Sequence, residues 1–217
     1  MRSFKLLSAT VLVVLASVAA CKNDSGATGP TPLEGQYKGA VAGESGPSLS
    51  ASLALTVAPS ATGTITPVGA APITVTGTYV ASTKAVTLSG GGYTIAGTID
   101  GTGKLLGTYT HSTAQGSFVA YQHTAANPVT VYCGTYTGDA DGIWNTLIRG
   151  SSLSGVYDNV DGSDGYFTGT VNGSSVSITE ISASPGGTAT GTIAGTTLSG
   201  TWSGPGFGGT WTSDATC

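Results

Sequence analysis

Residues 188–212, TATGTIAGTTLSGTWSGPGFGGTWT, decide the fold. Leu198, Gly200 and Trp202 alternate with Ser199, Thr201 and Ser203, so one face of this segment is apolar and the other carries hydroxyls. That period of two is a β-strand signature. A Gly-x-Trp beat occurs twice, at Gly200/Trp202 and Gly209/Trp211. A glycine in a strand leaves a gap, and an aromatic on the neighbouring strand can lie across it, restoring burial and fixing register. Gly204-Pro-Gly206-Phe-Gly-Gly209 formally fits a dinucleotide fingerprint. It runs into a strand and contains proline, so it lacks the strand-to-helix context that gives the fingerprint its mechanism, and it is expected to be a turn.

The rest of the body repeats this pattern. Residues 93–122, YTIAGTIDGTGKLLGTYTHSTAQGSFVAYQ, share with 188–214 the order x-G-T-I-x-G, L-x-G-T-aromatic and glycine-spaced aromatic. Tyr109 and Phe118 stand where the second copy has Trp202 and Trp211. Gly35-Gln-Tyr37 matches Gly134-Thr-Tyr136, and Gly77-Thr-Tyr79 matches Gly169-Thr-Val171. Four matches in one order indicate duplication, dividing the body into 34–123 and 132–217 joined by a linker at 124–131. Each half parses into about eight short strands, and turn chemistry falls between them: Asn172-Gly173, and Asp-Gly at 100–101, 141–142 and 161–162.

The fold expected is all-β, a tandem repeat of two small antiparallel up-and-down β-barrels of about eight strands each. Closure removes the edges that so lysine-poor a sheet would otherwise expose. One large continuous sheet or barrel is the second architecture, and a β-solenoid the third. The strands are too short to span a membrane, and a barrel of this size is largely filled by its own side chains.

Composition narrows function. The 217 residues include 35 glycines and 8% charged residues, with a net charge of −4. Loss of Arg2 and Lys5 with a leader takes this from −4 to −6. Nucleic acid is excluded as an expected partner, because tracking phosphates needs clustered Lys and Arg.

The first residues have their own logic. A basic start, MRSFK, precedes an apolar run over 6–18, too short for a mature transmembrane helix, and Val18-Ala-Ala-Cys21 closes it. This ending resembles the lipobox of bacterial lipoproteins. The resemblance implies a signal peptide over 1–20, lipidation of Cys21 and a lipidated tether over 21–33. The alternative is an ordinary secretory signal cut near Ala20. In that family an Asp after the cysteine retains the protein at the inner membrane. Lys22 stands there instead, so an exported protein anchored to the outer membrane is favoured if the cell has two.

With Cys21 lipidated, Cys133 and Cys217 remain. The first and last strands of an eight-stranded barrel are neighbours, so these positions meet, and an exported compartment permits a disulfide. The alternative is two free thiols or a metal pair. Two histidines, His111 and His123, make a weak zinc set and are expected near turns. Asp139, Asp141, Asp158, Asp161 and Asp164 cluster in loops of the second half, as ordinary Asp-Gly turn chemistry or as a hard-cation set such as calcium would use. Trp144, Trp202 and Trp211 are core residues or a sugar-stacking surface. No catalytic, cofactor-binding or metal-binding residue is assigned.

The small barrel with Gly-x-Trp is similar to the calycins (lipocalins and avidins). Lipocalins carry that motif on the first strand, whereas here it lies on the last two, so no functional residue is transferred. The leading expectation is a non-enzymatic envelope lipoprotein, a β-barrel module held at the membrane through its lipid and binding a small molecule, glycan or protein. An envelope glycan hydrolase using loop carboxylates is the alternative, and a purely structural surface protein the third.

Overall fold

A computed structural model describes residues 33–43, 49–112, 114–182, 186–215 and 217, with the side chain of residue 180 left aside. Barrel one comprises β1 (Gly35–Gly43), β2 (Leu49–Val57), β3 (Ser60–Pro67), β4 (Ile73–Val80), β5 (Ala85–Gly90), β6 (Tyr93–Ile99), β7 (Lys104–His111) and β8 (Ala114–Gln122). Barrel two comprises β9 (Val129–Gly138), β10 (Gly142–Arg149), β11 (Ser152–Asn159), β12 (Asp164–Asn172), β13 (Ser175–Ile181), β14 (Gly187–Ala194), β15 (Thr197–Gly204) and β16 (Phe207–Asp214). Both are closed antiparallel meanders in which the first strand pairs with the last, as Tyr37 with Gln122 and Trp211 with Tyr136.

Local chemistry accounts for the hairpins. Pro205-Gly206 links Gly204 to its partner Phe207, and Gly206 takes a φ of 85° that its missing side chain permits. The glycine-rich run is therefore a hairpin turn. β9 begins at Val129, earlier than turn chemistry alone would place it. Val129 is buried against the other barrel, which supplies the reason for the extension.

Period-two alternation sends one face of every strand inward. Barrel one is filled by Tyr37, Leu53, Leu55, Ile65, Leu88, Ile95, Tyr109 and Phe118 among others, and barrel two by Tyr136, Trp144, Tyr157, Phe167, Trp202 and Trp211. A third apolar cluster belongs to neither interior. Ala40 and Ala42 of β1 with Val119 and Tyr121 of β8 meet Ile143 and Leu147 of β10, Val156 of β11 and Val129 of β9. These are outward positions, so the barrels lie side by side across an apolar seam. Val119, Ile143, Leu147 and Val156 alone bury enough to contribute about 6–12 kcal/mol as an upper figure, at about 1.5–3 kcal/mol per large aliphatic side chain.

Candidate functional site

The interior of barrel two is an aromatic stack. The Trp144 ring lies 4.1 Å from Phe167 at an interplanar angle of 15°, and 5.7 Å from Trp211 at 25°. Tyr136 meets Trp202 edge-on at 5.7 Å. Glycines make the room. A methyl at Gly191 would come within 2.6 Å of the Trp211 ring, and one at Gly209 within 2.7 Å of Trp202. The first barrel repeats the arrangement, with Gly107 and Gly116 each beneath an aromatic, Phe118 and Tyr109, at 2.6 and 2.7 Å. The Trp202 and Trp211 indoles donate to the carbonyls of Thr137 and Thr201 at 3.3 and 3.2 Å. At 3%, 8% and 2% exposure, Trp144, Trp202 and Trp211 are core and offer no face to a sugar. Trp144 Nε1 and Thr146 Oγ1 lack a hydrogen-bond partner here.

Three of the five aspartates hold turns through hydrogen bonds from backbone amides. Asp139 accepts from the Gly208 amide at 2.8 Å and Asp141 from the Gly138 amide at 3.1 Å. Asp161 accepts from the Ser163 amide and hydroxyl at 3.1 and 2.8 Å, and these bonds hold its carboxyl below the usual range. Asp164 accepts from the Ser117 hydroxyl of the other barrel. Asp158 is buried in the seam at 1% exposure. The turn reading accounts for the three loop acids. Among the described residues no group of three His, Cys, Asp or Glu side chains is placed to share a metal ion.

The histidines are separated. His111, at the end of β7, stacks on Tyr93 at 4.2 Å, whereas His123 follows β8 and its Nδ1 accepts from the Val129 amide at 2.9 Å. Burial and the nearby Lys38 charge lower the His123 pKa. Cys133 and Cys217 lie at disulfide distance, with Cα atoms 5.1 Å apart. They belong to β9 and the residues after β16, neighbours through the ring closure. Cys21, with the leader and residues 21–32 of the tether, lies outside the described residues.

Residues not singled out in the sequence carry the seam's polar contacts. Asn145, fully buried on β10, donates through Nδ2 to the Val41 carbonyl at 2.8 Å. Its Oδ1 accepts from the Gly134 amide at 3.1 Å and the Ser50 hydroxyl at 3.0 Å. Tyr121 and Ser154 share a hydrogen bond of 2.7 Å, and Tyr166 donates to the Gly107 carbonyl. Arg149 caps one end, donating to the Thr102 carbonyl at 3.2 Å and lying 4.3 Å over the Tyr121 ring. Near the other end, burial and then the Asp158 charge push the Tyr109 phenol well above its ordinary pKa. The available signal was an apolar run on both faces of a strand, as in Gly39-Ala-Val-Ala42 and Ser117-Phe-Val-Ala-Tyr121.

Among the described residues, three clefts that open on the outside bear on binding. One of about 370 Å³ lies where the barrels meet, between Lys38, Ser52 and Ala54 on one side and Val129, Thr130 and Cys217 on the other. A second, of about 400 Å³, is a shallow hollow over Gly200 rimmed by Thr135, Thr137, Thr201, Thr210 and Thr212. The third lies over Thr188, Ser203 and Pro205. None of the three is lined by a carboxylate. No protein-family model matches the chain, and no curated protein matches it.

Proposed function

We propose that this chain is an exported envelope lipoprotein, anchored through Cys21, whose double barrel is a non-enzymatic binding or interaction module. The carboxylates carry the non-enzymatic part of the reading. A glycan hydrolase needs two acids converging on a substrate cleft, whereas Asp139, Asp141 and Asp161 hold turns and Asp164 accepts a hydrogen bond across the seam. The anchoring part rests on the basic start, apolar run and box of residues 1–21, and Lys22 favours the outer of two membranes. A Cys133–Cys217 pair at bonding distance fits an oxidising compartment.

Native mass spectrometry of the protein taken from its own envelope tests this reading. The expected species begins at Cys21, carries a lipid mass and brings a partner or ligand with it. An unmodified N-terminus elsewhere refutes the anchor. Turnover of an envelope glycan that disappears in Asp139→Asn or Asp161→Asn refutes the non-enzymatic assignment.

A further inference from the structure

The two ends of the double barrel differ in charge. Strand direction assigns each residue to an end. Where β1 starts lie also the turns before β3, β5 and β7, the start of β9, the β10–β11 turn and the end of β16. Like ends of the barrels coincide, since Arg149 meets Thr102 at this end and Asp164 meets Ser117 toward the other. Every Lys and Arg of residues 33–217 lies in this half: Lys38, Lys84, Lys104 and Arg149. They share it with Glu34, Asp100 and Asp214, so four cations face three carboxylates. In the opposite half the described residues hold Asp139, Asp141, Asp158, Asp161 and Asp164, and no Lys or Arg.

The chain also joins the body at the cationic end. Tyr37 donates to the Leu33 carbonyl at 2.7 Å and Gln122 to the Glu34 carbonyl at 3.1 Å, tying residues 33 and 34 there. We infer that this end of the double barrel is seated on an anionic lipid surface, with the carboxylate end pointing away from it. The inference rests on the anchor at Cys21 proposed above. Residues 22–32 span at most about 40 Å when extended, enough for the body to lie either way up, so the tether alone does not choose. Charge does. Anionic headgroups attract nearby Lys and Arg, and this field decays over a Debye length of about 8 Å. Eight-residue strands with ordinary barrel tilt separate the ends by about 20 Å along the axis. In the seated pose the five aspartates stand beyond the field; inverted, they would press into it while the cations left it.

The test uses the purified lipidated chain on phosphatidylcholine vesicles with and without phosphatidylglycerol. A fluorophore is placed at Ser82→Cys, in the turn after β4, or at Ala70→Cys, in the turn after β3, both exposed and at opposite ends. A headgroup-attached quencher reads proximity. On anionic vesicles the Ser82 label should be quenched several-fold more than the Ala70 label. The ratio should fall toward one on phosphatidylcholine alone, in high salt, and in a Lys38→Gln/Lys84→Asn/Lys104→Gln variant with unchanged far-UV spectrum. Equal or reversed quenching on anionic vesicles, or a ratio indifferent to lipid charge, overturns the inference. Flotation with neutral vesicles reports the anchor separately. A chain that fails to float there refutes the anchor, and the label ratio on anionic vesicles still decides orientation; absence of adsorption to them overturns it.

Discussion

Asn145→Ala should weaken the whole molecule although it touches neither barrel interior. The amide makes three hydrogen bonds in a site with no exposure, to Val41 O, Gly134 N and Ser50 Oγ. Each is worth about 1 kcal/mol net, and stranding a buried partner costs about 1–3 kcal/mol. Ser50 can turn to solvent and a carbonyl tolerates the loss of one donor, so the Gly134 amide carries the largest penalty. The sum is about 2–4 kcal/mol, a large share of the ~5–15 kcal/mol that holds a domain folded. Urea unfolding measures it with two probes. All three tryptophans belong to barrel two, so their fluorescence reports that barrel while far-UV circular dichroism reports both. In the unaltered protein the seam should make the transitions coincide, and in the variant both should move to lower urea. A loss below about 1 kcal/mol, or separate transitions in the parent protein, would refute the idea that this amide fastens one barrel to the other. Asn145→Asp adds a signed check. The carboxylate sets a second oxygen against the Val41 carbonyl, raising its folded pKa, so the penalty is absent below the unfolded Asp pKa and grows as pH rises through the folded one.

Non-reducing peptide mapping should show Cys133 joined to Cys217, and reduction should cost about 4–5 kcal/mol for a loop closed across a separation of 84 residues; free alkylation of both thiols in the folded protein would sink this. Thr146→Val should raise stability by about 1 kcal/mol, because the buried hydroxyl has no partner and the methyl keeps its shape; a measured loss would mean that something satisfies the hydroxyl in solution. Gly155→Ala should cost about 1–3 kcal/mol, since the added methyl meets the Phe167 ring, whereas Gly101→Ala, with open space around it, should change thermal stability little. On the acid side, burial alone would raise the Asp100 pKa, but hydrogen bonds from Thr102 and Lys104 lower it, as those from Ser163 lower that of Asp161. Their contribution is present above the unfolded Asp pKa and lost as pH falls through the lower folded values, so Asp100→Asn should flatten the acid limb of a stability–pH curve.

The strands, their closure and the duplication were legible because each depends on local order: period-two alternation, Gly-x-aromatic spacing and Asp-Gly or Pro-Gly turns. Tyr109 and Phe118 occupy the same strands of their barrel, the seventh and eighth, as Trp202 and Trp211 do of theirs. The seam was legible only as an apolar run on both faces of β1 and β8. Alternation tells which side of a strand faces out, but not that two outward sides cover each other. Asn145, Ser117 and Ser154 stand at such outward positions, yet each is buried. Likewise Asp158 passed for a loop acid, whereas the other barrel covers it.

The seam also has a polarity that bears on stacking. It is heterologous: barrel one contributes β1, β8 and Gly107 of β7, whereas barrel two contributes β9 to β12. A contact of that kind has no internal reason to stop, and could propagate into a fibre or a longer array. The faces on the far sides of the two barrels are more polar than the seam. On barrel two the equivalent first-and-last face presents Thr135, Thr137, Thr210 and Thr212, and on barrel one the third and fourth strands present Thr62, Thr64, Thr74 and Thr76. Both faces carry hydroxyls, whereas the seam carries Ala, Val, Ile and Leu. Polar faces of this kind work against a third barrel docking in the same way, as polar end repeats do in solenoids.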